Sequence, residues 1–286
     1  MAKTEPADRW FATPDIRIHG LDWGGPEGAS VVLMLHGVGG NAWVWDDVGP
    51  RLARALPGHR IVAIDQRDGG DTDHPETGYD RTDFFADLLA VHDAMGGGPL
   101  VLVGHSRGGW LAAAFAAAYP DRVGRLVLID PARLTFANET DAGSFYDWVR
   151  DGLGPFPSEE AAVAWAMHED PEAIWTPVRT RSFLFGFTRD ANGGLTGKLP
   201  IPVVERLREA RTGGEDVTAA LDGLETPTLL LVATRQPPAR MAHKMAYAER
   251  LGDVSTVHLD GSHFLHTDVP EAVSSAIGDF VGSLTR

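Results

Sequence analysis

The chain has 286 residues, 43% of them hydrophobic, enough for one substantial core or one core carrying an insertion. Its 40 acidic residues against 25 basic ones give a formal charge of -15, which repels polyphosphate backbones and anionic membranes and removes nucleic acid from the candidate partners. Cysteine is absent, so disulfides, thiol catalysis and cysteine-ligated zinc are excluded.

In chain order, the opening MAKTEPADRWF lacks a charged head followed by a long apolar core, and the longest apolar run, Trp110 to Tyr119, is too short to span a bilayer. The expectation is a cytoplasmic protein with no membrane partner. VVLML from Val31 reads as a strand, followed by the glycine-rich turn HGVGG and a helix over Ala42 to Leu56. IVAI from Ile61 is the next strand, then DQRDGGD and a helix over Arg81 to Met95. LVLV from Leu100 runs into GHSRGG and an alanine-rich helix over Arg107 to Tyr119; LVLI from Leu126 follows. After an irregular stretch, TLLLVA from Thr228, a helix over Met241 to Leu251, a strand over Ser255 to Asp260 and a helix over Pro270 to Leu284 complete the chain. Continuous apolar runs alternating with helices predict a mostly parallel sheet of about eight strands with helices on both faces. The interruption divides the chain into a core, residues 1–132 and 223–286, and a helical cap, residues 133–222.

Ser106 sits in Gly104-His105-Ser106-Arg107-Gly108, with a strand before it and a helix after it. A strand turning sharply into a helix forces the serine into a strained conformation, and glycines two residues either side remove the resulting collisions. A serine nucleophile needs a base, an acid to hold that base, and donors for the oxyanion. His263, directly after the last predicted strand, is the candidate base, with His266 in reserve. In HGVGG, Gly37 and its neighbours allow close approach to a substrate carbonyl, and Val38 N–H with Arg107 N–H would form the oxyanion hole. Neither GxxxxGK[ST] nor GxGxxG is present, and the chemistry requires no metal or organic cofactor.

HGVGG at 36, DQRDGGD at 65, GHSRGG at 104, LVLIDPA at 126 and GSHF at 261 together resemble the α/β-hydrolase family in its compact, cap-bearing form. The chain departs from that pattern twice. Asp68 interrupts the usual RGxG, and no Asp or Glu lies between Glu225 and Glu249, where most relatives carry the acid. Haloalkane dehalogenases and zearalenone lactonases take the acid from the loop after the preceding strand, and that resemblance assigns the role to Asp130. Asp260 is its competitor. A serine nucleophile excludes the aspartate chemistry of dehalogenases and epoxide hydrolases, leaving acyl transfer. Ten of the chain's 24 aromatic residues lie in the insertion, Phe136 among them. Trp148, Trp165 and Phe183, with Trp43 and Trp110 of the core, are expected to line an apolar cleft for a small neutral ester or lactone. The alternatives are a carbon-carbon bond hydrolase, or a ligand-sensing module with slow or no turnover.

Overall fold

The computed structural model describes residues 5–134, 139–210 and 218–282, apart from the side chains of residues 139–142. Phe136 and the predicted end of the last helix lie outside the described residues. The core begins with strands β1 (Ala7–Ala12), β2 (Arg17–Gly24) and β3 (Ser30–Leu35). Helix α1 (Val48–Ala55), strand β4 (His59–Ile64), helix α2 (Arg81–Ala94), strand β5 (Leu100–His105), helix α3 (Arg107–Ala118) and strand β6 (Val123–Ile129) follow. The segment between β6 and β9, called the insertion below, carries α4 (Glu139–Asp151), α5 (Glu159–Glu169), α6 (Pro177–Phe185), the hairpin of β7 (Phe187–Arg189) with β8 (Leu195–Gly197), and α7 (Ile201–Ala210). A short α8 (Thr218–Leu221) leads back to β9 (Thr228–Ala233), α9 (Pro238–Ala248), β10 (Val254–Leu259), α10 (Leu265–Asp268) and α11 (Pro270–Gly282).

Eight strands form one sheet in the order β1-β2-β4-β3-β5-β6-β9-β10, parallel from β4 through β10 with β1 and β2 antiparallel at one edge. The period of two explains its two cores. Val31, Leu33 and Leu35 of β3 face one side with α2 and α3, whereas Val32 and Met34 face the other with α1 and α11. All the parallel strands leave their carboxyl ends on one edge, where side chains from different strands can meet.

Two predicted helices are altered. Ala42 to Leu56 splits into a 3-10 turn over Ala42–Trp45 and α1, because the Asn41 side chain accepts from Trp43 N and starts a separate cap. Helix α9 begins at Pro238 rather than Met241, since a proline at the first helical position lacks only an N–H that would be unpaired there.

Candidate active site

Ser106 occupies the turn from β5 into α3 with φ 52° and ψ -121°. Together with Asp130, at φ 39°, it is one of the only two non-glycine residues with positive φ among those described. Such strain persists only where the surroundings enforce it. A Cβ on Gly104 would lie 2.3 Å from the Gly108 carbonyl oxygen, and one on Gly108 would lie 2.4 Å from that of His36. The two glycines therefore let the serine turn close onto the loop after β3.

Asp130 ends β6, one strand over from Ser106. His263 lies between β10 and α10, with Nδ1 2.6 Å from Asp130 Oδ2 and Nε2 2.9 Å from Ser106 Oγ. Burial works to raise the Asp130 carboxyl, but the His263 hydrogen bond and the Lys244 charge outweigh it and hold the group down at about 2. An ionised carboxylate can only accept, so Nδ1–H of His263 donates to it. Nε2 is then left with its lone pair toward the serine hydroxyl, the arrangement required of a base.

The loop after β9, empty of carboxylates, supports Asp130 in two ways. Gln236 Nε2 donates to Asp130 Oδ1 at 3.0 Å, and Ala233 N donates to the same oxygen at 3.1 Å. From α9, Lys244 Nζ lies 3.3 Å from Asp130 Oδ2 and donates to the backbone carbonyls of Asp130 and Pro131. Neither Gln236 nor Lys244 was singled out from the sequence. A signal existed: Lys244 is spaced three residues from both Met241 and Tyr247, on the face that α9 buries. Asp260, the competitor for the acid role, is instead exposed and paired with Arg235 at 2.9 Å. His266 does not reach the serine either. It is buried against Trp45 at 4.8 Å and His105 at 4.3 Å, and burial first, then Arg179 and His263, push it down to about 3.

On the opposite side of Ser106 lies the loop after β3. Val38 N–H finds no protein acceptor among the described residues, and Arg107 N–H, at the first position of α3, has none within the helix. The Arg107 side chain turns away from the nucleophile: Nη2 donates to Asp68 Oδ1, and the guanidinium lies 4.7 Å above the Phe84 ring. The other oxygen of Asp68 accepts from Gly39 N at 3.1 Å. The aspartate that interrupts RGxG thus ties the loop carrying Val38 to the residue carrying the second N–H. Gly37 sits beneath, where a Cβ would come within 3.3 Å of both His105 and Ser106.

Above the loop is a cavity of about 190 Å³ between the core and the insertion. Val38, Trp148, Trp165, Phe183 and Phe264 line it, together with Trp175 of the insertion. Two expected lining residues are elsewhere. Trp110 is fully buried on α3 in the core beside the sheet, and Trp43 packs on Phe185 at 5.7 Å with the Arg181 guanidinium above it. Helical and turn geometry rotates both rings away from the cavity. Arg179, the one cation among the described lining residues, is paired with Asp170 at 3.1 Å and Asp268 at 3.4 Å. Asp268 in turn accepts from Ser262 N at 2.8 Å and from Ile174 N at 3.1 Å, joining the histidine loop to the insertion.

Among known proteins, the family described as alpha/beta hydrolase fold matches residues 30–168. The chain is 30% identical over 269 residues to "Lipase LipV" of Mycobacterium tuberculosis, covering 90% of this chain and 95% of the relative. It is 28% identical over 257 residues to "2-(acetamidomethylene)succinate hydrolase" of Mesorhizobium japonicum, covering 88% and 87%. The crystal structure of E-2-(acetamidomethylene)succinate hydrolase superposes with a TM-score of 0.78 at 24% identity, over 96% of this chain and 99% of that one. With the eight-stranded sheet, the serine turn and these relatives in agreement, the chain belongs to the α/β-hydrolase fold family and is of a hydrolase kind.

Proposed function

We propose that the protein is a serine hydrolase that cleaves a small, neutral, hydrophobic carboxylic ester or lactone through an acyl-enzyme. The observation that carries this reading is the unbroken relay from Ser106 Oγ through His263 to Asp130, at 2.9 and 2.6 Å, with Phe264, the residue after His263, and Val38 of the loop beside Ser106 lining a mostly apolar cavity. In this reading Ser106 Oγ attacks the carbonyl while His263 Nε2 takes its proton. The negative charge that develops on the carbonyl oxygen meets the Val38 and Arg107 N–H groups at the amino end of α3, where the helix dipole adds to their effect. The imidazolium, steadied by the ionised Asp130, returns the proton to the departing alcohol, and water releases the acyl group by the same route. Residues 133–222 act as the cap that encloses the substrate.

The charge of the cavity favours a neutral substrate. Arg179 is already balanced by Asp170 and Asp268, and Glu169 adds a further acid to the lining. A carboxylate entering here would meet no unpaired cation among the described lining residues. The relative named for a succinate derivative therefore gives the reaction class more than the substrate.

The test is hydrolysis of p-nitrophenyl butyrate and of the corresponding mono-succinate ester by wild type and Ser106→Ala, with mass analysis after fluorophosphonate treatment. Wild-type turnover, loss of at least about 10³-fold in Ser106→Ala and a phosphonate adduct on Ser106 are expected. The neutral ester should be preferred by about tenfold or more. An unlabelled Ser106, or a Ser106→Ala variant as fast as wild type, sinks the reading, and a preference for the anionic ester moves the substrate assignment to carboxylates.

A further inference from the structure

Lys244 is the least expected group near the candidate site. It lies on α9, on the Asp130 side of the relay and outside the cavity lining, and is only 6% exposed. An ammonium is costly to bury unless its charge and all its donors are engaged. Here its partners are Asp130 O at 3.3 Å, Asp130 Oδ2 at 3.3 Å and Pro131 O. All three belong to the segment that carries the acid.

The carboxylate is correspondingly over-determined. Oδ1 accepts from Ala233 N and Gln236 Nε2, and Oδ2 is shared between His263 and Lys244. The other titratable groups packed around the pair are His105 from the end of β5 and His266 from α10. Arg133 and Arg240 act on Lys244, and Arg179 acts on His266. Both buried histidines are pushed down by desolvation, so they contribute no charge at neutral pH. Among these groups Lys244 is the cation in contact with the acid.

We propose that Lys244 is a positioning residue of the relay: its ammonium fixes the Asp130 carboxylate toward His263 and offsets part of the negative charge that the imidazole would otherwise feel. A bare aspartate beside a histidine stabilises the imidazolium, which is useful in the transition state but holds the base protonated at rest. A cation on the far side of the carboxylate moderates that attraction. Placing the acid directly after β6 makes this contact available, because Lys244, on the buried face of α9, reaches the backbone there.

The inference rests on the relay proposed above, and its test is independent of turnover. In wild type, Lys244→Met and Lys244→Gln, the His263 imidazole is titrated by nuclear magnetic resonance, with its signal assigned through His263→Gln. The acid limb of kcat/KM for p-nitrophenyl butyrate is recorded alongside. Both variants are expected to protonate His263 about one pH unit higher than wild type, with the acid limb moving by the same amount. Glutamine keeps a donor toward the Pro131 carbonyl and removes only the charge. An unchanged titration in both variants, or a wild-type titration in Lys244→Gln, overturns the proposal. Should Lys244→Met fail to fold, Lys244→Gln carries the measurement, and failure of both to fold assigns Lys244 to structure alone and also overturns it. Failure of Ser106 to take a phosphonate would sink the hydrolase reading while leaving the titration result in place.

Discussion

The two loops in which this chain departs from its family's usual pattern differ in opposite directions. The loop after β9 lacks a carboxylate where one is usual, and the loop after β4 holds an extra one, Asp68. Beside the first, Asp130 follows the neighbouring strand with its carboxylate on His263, and Gln236 and Lys244 turn inward to hold it. At the second, Asp68 takes a buried arginine and a backbone N–H from two other segments. Each departure is locally balanced: Asp130 has Lys244 and His263, and Asp68 has Arg107. The lesson is that a buried charge is judged by its partners, and a motif departure that brings a partner need not signal a failed site.

Breaking the first balance should have the largest effect. Asp130→Asn keeps the shape of the side chain but cannot enforce the tautomer of His263, and ester hydrolysis should fall by about 10⁴-fold, measured as kcat at saturating substrate. Retention of most of the rate would mean that the acid lies elsewhere. Breaking the second balance should act on stability first. Asp68→Ala leaves a buried guanidinium without its carboxylate, and chemical denaturation should show a loss of about 3 to 5 kcal/mol. Adding Arg107→Met should regain at least about 2 kcal/mol of it, because the uncompensated charge goes too. Equal stability of the single and double variants would mean that the loss in Asp68→Ala does not come from an uncompensated guanidinium. The smallest effect should come from Asp260→Asn, which removes only an exposed pairing with Arg235. Its rate should stay within about twofold of wild type, and a larger loss would return Asp260 to consideration as the acid.

Most of the fold was legible because the parallel strands are buried on both faces and so read as continuous apolar runs. Neither β1 nor β2 was located from the sequence, since the run of β1 alternates toward solvent and the run of β2 is broken by His19, Gly20 and Asp22. Ser106, Asp130 and His263, which the structure joins by hydrogen bonds, could be named together because each follows closely on an apolar run that reads as a strand. Asp68 could be noticed but not explained, because its partners Gly39 and Arg107 are brought to it only by the folded sheet. The cavity wall was half legible. Trp148 and Trp165 line it and Trp110 does not, a difference set by which way a helix is rotated on its neighbours. Composition counts aromatics without saying where they face.

The insertion leaves the core shortly after Asp130, and the last core carbonyls before it are fastened from α9. Lys244 donates to the carbonyls of Asp130 and Pro131, and Tyr247 OH donates to that of Ala132 at 2.8 Å. The chain entering the insertion is therefore clamped to α9, whereas the helices over the cavity are tied to the core elsewhere: the Asn41 side-chain amide donates to Ser182 O at 2.8 Å, and Arg179, Arg181 and Lys198 pair with Asp268, Asp46 and Asp71. The contacts that hold the Asp130 carboxylate and those that hold the helices over the cavity therefore fall on different residues of the core: Ala233, Gln236, Lys244 and His263 for the first, and Asn41, Asp46, Asp71 and Asp268 for the second.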